Sequence, residues 1–405
     1  MPVAHPLLKR NEPMTPSARA QAAIEILDFV IAAARDDGPP ADALIQRYFK
    51  TRRYAGSKDR RAVRELVYRA IRRSGEPPAS GRSALLGVAG EDRELAAVFD
   101  GSAHGPATRQ DGEESSPAAF LPRWIESELS PLVTPEEWPA LLERAPLDLR
   151  VNIARTSRDV MAGAFPEARP TALSPWGLRL AADTKIDDRP EFADGLVEVQ
   201  DEGSQLIARA CAPQGDQTLI DLCAGAGGKA LALAAAAPAA TIIACDTNRA
   251  RLSQLGPRAA RAQSNITTRL IDAGREGAML ADLAGKADLV LVDAPCSGSG
   301  TWRRNPEGRW RLTPERLERV ARLQERLLDL AVPLVRPGGA LIYATCSLLA
   351  REGAGQARNF LGRHSSWTMQ DAAFEGGRAD GPGRLLTPAH DATDGFFIAR
   401  FVAPC

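Results

Sequence analysis

Apolar residues in the first part of the chain recur every three or four positions, which is the spacing of one face of an α-helix. Ile24, Leu27 and Ile31 follow this spacing within ARAQAAIEILDFVIAAARDD. A second stretch, KDRRAVRELVYRAIRRSG, shows the same spacing at Val63, Leu66, Val67, Ala70 and Ile71. The pattern predicts a helical region that extends to about residue 90.

The second predicted helix carries its own end signals and a set of basic residues. Asp59 can cap its start and Gly75 its end. Five arginines fall mainly outside the apolar stripe: Arg60, Arg61, Arg64, Arg72 and Arg73. They form either an ordinary solvated helix face or a patch that faces RNA.

The middle of the chain loses this regular spacing. Residues 101–118, GSAHGPATRQDGEESSPA, are polar and rich in Gly, Ser and Pro, which predicts a flexible loop or linker. A shorter helical stretch, broken by prolines, is expected over Phe120–Leu142. The sequence LDLRVNIARTS, from Leu147, predicts a strand that opens a mixed α+β segment lasting to about residue 195.

From about residue 200 onward, short apolar runs alternate with helical ones. The predicted strands are Thr218–Cys223, Thr241–Asp246, Thr267–Asp272, Asp288–Asp293, Gly339–Cys346 and Phe396–Val402. The predicted helices lie near 228–236, 248–262, 313–335 and 351–362. This alternation predicts an α/β fold with a doubly wound, Rossmann-like parallel sheet, whose ligands bind beyond the carboxyl ends of the strands.

Composition narrows the class of protein. Lys and Arg together number 51, as do Asp and Glu, so there is no basic field over the whole protein and any nucleic-acid contact must come from local patches. The run Ala230–Ala240 is interrupted by Pro238 and too short to span a bilayer, and the N-terminus lacks the apolar core of a signal peptide. We therefore expect a soluble, cytoplasmic protein without membrane contact.

The six cysteines form no CxxC pair and the four histidines are scattered, so the sequence does not predict a metal site. In a reducing cytoplasm these thiols are expected to be free. Most free cysteines are small buried hydrophobes. A catalytic role for any of them therefore needs a more specific signal.

A glycine-rich loop, DLCAGAGGKALALA, joins a predicted strand to a predicted helix. Glycines there let the backbone approach a ligand closely. Asp246 ends the next strand and can accept hydrogen bonds from both hydroxyls of a ribose. The loop is not followed by Gly-Lys-Ser/Thr, which disfavours a phosphate-binding P-loop. Ala230 stands at the third glycine position of the GxGxxG motif that is typical of NAD-binding loops. S-adenosylmethionine suits this looser loop better than NAD does.

Two cysteines occur at the ends of strands that are neighbours in a doubly wound sheet. Cys296 lies in DAPCSGSG and Cys346 in YATCSL. A thiolate beside a methyl-donor cofactor indicates nucleophilic catalysis, and the expected target is a pyrimidine. Addition of the thiolate to C6 of cytosine turns C5 into an enamine carbon, which can then attack a methyl group. Asp293 can donate a hydrogen bond near N3 of the cytosine if burial keeps its carboxyl group protonated.

Three motifs closely resemble the RsmB/Sun group of RNA cytosine-5 methyltransferases: DLCAGAGGK, DAPCSGSGTWRRNPEGRW and YATCSL. The resemblance continues through LRVN (149–152), VQDEGSQ (199–205) and DGFFIARF (394–401), and so covers about residues 145–405. The N-terminal helices, including KDRRAVRELVYRAIRR, look like the NusB-type RNA-binding domain that is fused to some members.

The resemblance implies roles for individual residues. Cys346 is the nucleophile at C6, Cys296 assists release of the methylated product, and Asp293 pairs with the cytosine edge. Lys229 contacts either ligand. The implied cofactor-binding set comprises Cys223, Ala224, Gly225, Ala226, Gly227, Gly228, Lys229, Asp246, Arg251, Asp272 and Asp293.

The implied RNA-binding set is Arg303, Arg304 and Asn305. Arg303 and Arg304 suit RNA phosphates, although a structural turn is the alternative, and Trp302 and Trp310 are expected to pack in a core rather than stack on a base. Asp272, which would contact the adenine, is equally well explained as a polar strand end.

The sequence predicts three domains and a monomer. They are a helical NusB-like domain (1–140), a small α+β connecting subdomain (141–200) and an S-adenosylmethionine-dependent methyltransferase domain (201–405). The expected substrate is RNA, with small-subunit ribosomal RNA favoured. The alternatives are a tRNA cytosine-5 methyltransferase, an RNA-binding assembly factor with little catalysis, and a small-molecule methyltransferase.

Overall fold

A computed structural model describes residues 13–36, 38–372 and 374–405 of the chain. It divides into two compact units. The first unit contains the described residues up to Ser127 together with Arg304–Leu312, and the second contains Glu128–Arg303 and Thr313–Cys405. No helix among the described residues is both long enough and apolar enough to cross a membrane.

The first unit is built from helices, as the apolar spacing predicts. They are α1 (Pro16–Arg35), α2 (Ala41–Lys50), α3 (Ser57–Arg73), α4 (Gly81–Ala89), α5 (Arg93–Ala97) and α6 (Arg123–Glu126). The α1 helix begins after Thr15, whose hydroxyl accepts a hydrogen bond from Ala18 N and so satisfies one of the free amides of the first turn. Ile24, Leu27 and Ile31 are buried in the core of this unit.

The α3 helix matches the predicted one, with small differences at its ends. Gly56 is the N-terminal cap, and Asp59 lies in the first turn, where its carboxylate accepts a hydrogen bond from Gly56 N at 3.2 Å. The helix ends at Arg73, two residues before Gly75. Most of its apolar stripe is buried, whereas four of its arginines are exposed: Arg60, Arg61, Arg64 and Arg69.

Residues 101–118 form neither helix nor strand, but they are held by specific contacts. The Arg82 guanidinium donates to Ala107 O at 3.1 Å and pairs with Glu113, and Ser116 N donates to Ser83 O at 2.9 Å. The segment 101–118 thus has no regular structure but is bound to α4 through the Arg82 side chain, which the sequence pattern does not identify.

The helical stretch expected over Phe120–Leu142, broken by prolines, is present only as two short pieces. The structure has only the four-residue α6 and a 3-10 helix at Pro135–Leu141 in this range. Prolines at 122, 131, 135 and 139 explain the difference, because each removes a backbone donor and restricts the residue before it.

The segment Arg304–Leu312, which follows the cysteine-containing motif, belongs to the first unit. It includes a 3-10 helix at Pro306–Arg311. Trp310 lies in the core of that unit and donates from Nε1 to Ser74 O at 2.8 Å. The packing role predicted for Trp310 is therefore confirmed.

A small antiparallel sheet opens the second unit. Its strands are β1 (Leu147–Val151), β2 (Arg169–Pro170), β3 (Gly177–Leu180) and β4 (Val197–Val199), in the order β2-β3-β1-β4. Two helices accompany it, α7 (Arg158–Ala164) and α8 (Pro190–Ala193). The strand predicted from Leu147 is present.

A nine-stranded sheet is the centre of the rest of the second unit. Its strands are β5 (Thr218–Asp221), β6 (Thr241–Asp246), β7 (Ile266–Leu270), β8 (Ala287–Asp293), β9 (Val335–Thr345), β10 (Thr368–Gln370), β11 (Arg378–Asp380), β12 (Gly383–Leu386) and β13 (Phe396–Val402). The order is β11-β12-β13-β9-β8-β5-β6-β7, with β10 beside β13. Strands β5 to β9 pair in parallel, whereas β10 to β13 add antiparallel pairs.

The helices of this unit alternate with the parallel strands. They are α9 (Glu202–Cys211), α10 (Gly228–Ala236), α11 (Arg249–Leu252), α12 (Leu255–Ala262), α13 (Glu276–Met279), α14 (Pro314–Ala331), α15 (Ala354–Arg363) and α16 (Pro388–Asp391). The predicted α/β, Rossmann-like class is confirmed. The helix expected over 248–262 is broken into α11 and α12 at Ser253, where the hydroxyl turns back to donate to Ala250 O.

Arg309 offers a test of the first unit, because its side chain is fully buried there. Its guanidinium donates to four carbonyls at and after the end of α3: Ile71, Arg72, Ser74 and Phe120. We expect Arg309→Ala to destabilise this unit by roughly 2–4 kcal/mol, since buried carbonyls would lose their donor. Urea denaturation followed by circular dichroism measures the change.

The control is Arg61→Ala, which removes an exposed arginine from α3 and should change stability by less than about 0.5 kcal/mol. An Arg309→Ala protein whose urea transition matches that of the control would contradict this account of how the helix end is satisfied.

Candidate active site

The site residues lie where neighbouring parallel strands end. The strand order β9-β8-β5-β6 brings four carboxyl ends to one edge of the sheet. Asp221 ends β5, Asp246 ends β6 and Asp293 ends β8, while Cys346 directly follows β9. This edge is the usual ligand-binding side of a doubly wound sheet.

The glycine loop after β5 adopts a backbone that other residues rarely take. Gly225 has φ +54° and Gly227 has φ +83°, both in the left-handed region. A side chain at Gly225 would collide with the Arg251 guanidinium, so this glycine allows Arg251 to lie against the loop. The α10 helix begins directly afterwards, at Gly228.

Asp246 fixes the loop from the neighbouring strand. Its Oδ2 accepts a hydrogen bond from Gly225 N at 2.7 Å, and its Oδ1 accepts one from Asn248 N at 2.6 Å. A carboxylate has about four lone-pair positions, so roughly two acceptor positions stay available after these bonds. The geometry thus suits a ligand that presents two hydroxyls.

The other predicted cofactor residues surround this loop. Ala224 N donates to Cys245 O at 2.9 Å, and Ala226 O accepts from the Arg258 guanidinium at 2.5 Å. Burial raises the pKa of Cys223 well above its ordinary value, which keeps this thiol neutral. Asp272 is exposed just beyond β7, next to Ile271, whose amide donates to Asp246 O at 3.0 Å.

Asp221 is a site residue that the sequence analysis missed. Its side chain is almost fully buried, and neither carboxyl oxygen has a hydrogen-bond partner among the described residues. Burial, with a smaller contribution from the charge of Asp293, raises its pKa to about 7. The available signal was an acid at the last position of an apolar strand, TLID, directly before the glycine loop.

Lys229 and Asp293 form an ion pair, with Lys229 Nζ 2.5 Å from Asp293 Oδ2. Burial acts to lower the pKa of Lys229, but the Asp293 carboxylate, with smaller contributions from Cys346 and Asp221, raises it above the ordinary value. The structure therefore corrects one expectation. Asp293 has the Lys229 ammonium as its partner, rather than a purely apolar environment, and the raised pKa keeps the proton on Lys229.

The two predicted thiols are brought together. Cys296 Sγ and Cys346 Sγ are 3.3 Å apart, within hydrogen-bond distance for sulfur, and both side chains are half-buried. The hydrogen bond to Cys346, followed by burial, raises the pKa of Cys296 well above its ordinary value. Cys296 is thus a neutral thiol that can donate to the sulfur of Cys346.

Gly300, which follows Cys296 by four residues, allows two backbone segments to approach each other near this pair of thiols. Gly300 N donates to Cys346 O at 3.0 Å, and Gly300 O accepts from Gly395 N at 2.8 Å. A side chain at Gly300 would collide with the Gly395 carbonyl. Close contact between two backbone segments explains this glycine.

The predicted RNA-binding residues do not share one environment. Arg303 is 8% exposed, donates to Thr393 O at 2.8 Å and lies 4.0 Å from the Asp394 carboxylate. This burial disagrees with the predicted phosphate contact and supports the alternative structural role. Arg304 is half-buried and Asn305 is exposed, in the segment that belongs to the first unit. Trp302 is buried in the second unit, as expected for packing.

Together, the sheet order, the glycine loop and the acid that ends β6 define a Rossmann-like methyltransferase. The 16S rRNA methyltransferase RsmB/F family matches residues 208–402 of the chain. Ribosomal RNA small subunit methyltransferase B of Salmonella arizonae is 35% identical over 297 residues, which cover 71% of this chain and 68% of that protein. Its namesake in Salmonella paratyphi B is 35% identical over 299 residues.

The chain therefore belongs to the 16S rRNA methyltransferase RsmB/F family. It is an RNA methyltransferase, and the predicted family and S-adenosylmethionine cofactor are confirmed.

Solved structures share the fold. The crystal structure of PH0851 aligns with a TM-score of 0.75 and 21% identity, covering 97% of this chain and all of that chain. NSun6 from Pyrococcus horikoshii, solved with SFG, aligns with a TM-score of 0.59 and 20% identity over 65% of this chain and 92% of that chain. At these identities the likeness concerns the fold.

Asp221 generates a prediction about pH. Its pKa is raised above that of an ordinary aspartate, so the folded protein holds this proton up to about pH 7 while the unfolded chain releases it above about pH 4. Stability is therefore lost as the pH rises from about 4 to about 7. We expect Asp221→Asn to be more stable than the wild type by roughly 1–3 kcal/mol at pH 8, with a smaller difference at pH 5.

Urea denaturation of the protein without cofactor at both pH values measures this difference. Asp216→Asn, which changes an exposed acid of the same unit, is the matched control and should show little effect. The same gain for Asp221→Asn at pH 5 and pH 8 would exclude ionisation of Asp221 as its cause.

Proposed function

We propose that this protein transfers a methyl group from S-adenosylmethionine to C5 of a cytosine in RNA, with small-subunit ribosomal RNA as the substrate, through a covalent cysteine–C6 adduct. The observation that carries the proposal is the pair of thiols 3.3 Å apart beside the Lys229–Asp293 ion pair. A protein that only bound RNA would not need two thiols and an acid at adjoining strand ends.

The residues around the glycine loop fit the cofactor. The available acceptor positions on Asp246 suit the two ribose hydroxyls, and Asp272 lies beyond the next strand, where an adenine would be contacted. The unpaired Asp221 carboxyl offers a buried acceptor for the ammonium group of the cofactor. When bound, S-adenosylmethionine supplies an electrophilic methyl group.

The thiol of Cys346 begins the reaction on the base. Its sulfur, as a thiolate, forms a bond to C6 of the cytosine, and negative charge develops toward N3. Asp293 faces this edge of the base and passes to N3 a proton that Lys229 supplies across the 2.5 Å hydrogen bond. C5 is then an enamine carbon that attacks the methyl group.

The neutral thiol of Cys296 acts at the last step. Once C5 carries the methyl group, its proton passes to water, the electron pair of the C5–H bond forms the C5–C6 double bond, and the bond from C6 to Cys346 breaks with its electron pair on sulfur. Cys296 donates a hydrogen bond to the departing sulfur from 3.3 Å and so stabilises the thiolate as it forms. Asp293 and Lys229 take back the N3 proton.

The RNA is proposed to contact the first unit as well as the methyltransferase domain. Exposed Arg60, Arg61 and Arg64 on α3 provide positive charge for RNA phosphates, in keeping with a NusB-like role for this region. The proposed domain division stays at 1–140, 141–200 and 201–405, and the proposed state is a cytoplasmic monomer.

The nucleophile is tested with Cys346→Ala. We expect it to reduce methyl transfer by at least about 10³-fold, because the covalent step is lost, while the affinity for the cofactor changes little. Bisulfite sequencing of small-subunit ribosomal RNA incubated with enzyme and cofactor measures transfer. Cys405→Ala, which removes an exposed thiol, should behave as the wild type.

If the wild-type enzyme protects no cytosine of small-subunit ribosomal RNA from bisulfite conversion, that RNA is not the substrate. Protection on tRNA instead would move the substrate to tRNA. Near-normal transfer by Cys346→Ala would reassign the nucleophile.

The release role is tested with Cys296→Ala. Without the thiol that stabilises departing Cys346, the covalent protein–RNA adduct should accumulate after methyl transfer and appear as a slow band on a denaturing gel. Cys211→Ala, a buried cysteine of α9, is the matched control and should leave no band. A folded Cys296→Ala enzyme that methylates RNA at the wild-type rate without any adduct would reject the release role.

A further inference from the structure

Glu352 is a fully buried acid that lies between the two cysteine-bearing loops. Its Oε1 accepts hydrogen bonds from Ser297 N at 2.8 Å and from Gln324 Nε2 at 2.9 Å. Its Oε2 accepts from the hydroxyl of Ser297 and from the hydroxyl of Ser347 at 2.5 Å. Ser297 directly follows Cys296 and Ser347 directly follows Cys346.

The two serine hydroxyls that bond to Glu352 also accept hydrogen bonds from backbone amides. Ser297 Oγ accepts from Ser299 N at 3.3 Å, and Ser347 Oγ accepts from Leu349 N at 3.1 Å. Each hydroxyl therefore has its own proton available to donate to Glu352. With two hydrogen bonds on each oxygen, all four lone-pair positions of the Glu352 carboxyl group are used.

Further bonds fix the acid itself. Tyr343, on β9, donates from its hydroxyl to Glu352 O at 2.6 Å. Gln324, on α14, also donates to Pro295 O at 2.9 Å, one residue before Cys296. The Glu352 carboxylate is thus joined to both loops and to the elements beneath them, which is the arrangement expected of a group that holds a site in shape.

We propose that Glu352 is the positioning residue that holds Cys296 and Cys346 together for catalysis. It ties the residue after each cysteine to one carboxylate, so that neither sulfur can move away from the other without breaking a charge-assisted hydrogen bond in the interior. This inference rests on the proposed function, because it assigns Glu352 a task in the two-thiol reaction.

The charge of Glu352 adds a second effect on the same site. It contributes to the raised pKa of Cys296, after the hydrogen bond to Cys346 and burial. A negative carboxylate near Cys296 disfavours a second thiolate there. Cys296 thereby stays a neutral thiol that can donate a hydrogen bond to Cys346.

Two variants of the intact protein test the proposal. Glu352→Gln keeps the shape but replaces one acceptor oxygen with a donor group, so donors would face each other. Gln356→Ala is the matched control, since Gln356 is also buried and near the start of α15, but donates to Ala321 O on α14. Thermal denaturation checks that each variant is folded.

The first measurement reports the distance between the sulfurs without RNA or cofactor. Diamide takes two electrons and two protons from a pair of thiols and leaves a disulfide. We expect it to link Cys296 to Cys346 rapidly in the wild type and in Gln356→Ala, and at least about 10-fold more slowly in Glu352→Gln. Mass spectrometry of the digested protein identifies the linked peptides.

The second measurement reports the charge. The rate of alkylation of Cys296 by iodoacetamide is followed against pH, again by mass spectrometry. We expect the Glu352→Gln profile to shift to lower pH, because a negative charge near the thiol is gone, and the Gln356→Ala profile to stay in place. A general structural defect would not move the ionisation of Cys296 alone in this direction.

The third measurement is methyl transfer. We expect Glu352→Gln to lower the single-turnover rate by about 10²-fold at saturating cofactor, with the cofactor Kd within about threefold of the wild type. A Glu352→Gln protein with the wild-type linking rate and the wild-type Cys296 profile would overturn the proposal.

If Glu352→Gln fails to fold, Ser347→Ala replaces it. This variant retains the Glu352 carboxylate but removes its bond to the Cys346 loop, so linking should slow while the Cys296 profile is kept. Wild-type linking in Ser347→Ala would overturn the proposal. The failure of the proposed function can be told apart from the failure of this inference. If the wild type methylates no cytosine, the proposed function fails. If Glu352→Gln still slows the linking of the two cysteines and shifts the Cys296 alkylation profile, the positioning role is supported.

Discussion

The parallel pairing of β8 with β9 is the constraint on which the site depends. The register places Asp293 opposite Ala344. Cys296 follows Asp293 by three residues and Cys346 follows Ala344 by two, so both thiols leave the sheet at nearly the same height. A shift of the register by a few residues would separate the sulfurs by several ångströms, since a strand rises about 3.3 Å per residue.

The site concentrates negative charge in a small volume, and different donors balance different acids. Asp246 is held by backbone amides, Asp293 by the Lys229 ammonium and Glu352 by amide and hydroxyl donors. Neither carboxyl oxygen of Asp221 meets the geometry of a hydrogen bond with a described residue, and burial, with a smaller contribution from the charge of Asp293, raises its pKa. An acid that the protein leaves unsatisfied is well suited to a cationic ligand group, whereas the three satisfied acids have positions fixed in advance.

Local pattern predicted the elements, and the resemblance predicted the chemistry. The apolar runs gave β6 and α10 with the observed bounds, because a buried strand and a short helix are each determined by adjacent residues. The membership of Arg304–Leu312 in the helical unit, the burial of Arg303 and the role of Glu352 depend on residues distant in sequence. A pattern within one segment contains no information about such partners.

Two thiols at hydrogen-bond distance could in principle exchange roles, and their surroundings distinguish them. The hydrogen bond to Cys346 and burial raise the pKa of Cys296, with a smaller contribution from the charge of Glu352, whereas Asp293, with a smaller contribution from Cys346, raises the pKa of Lys229. A thiolate is stabilised next to an ammonium and destabilised next to a carboxylate. The raised pKa of Cys296 favours the proton on that sulfur, which agrees with the proposed roles, in which Cys346 is the nucleophile.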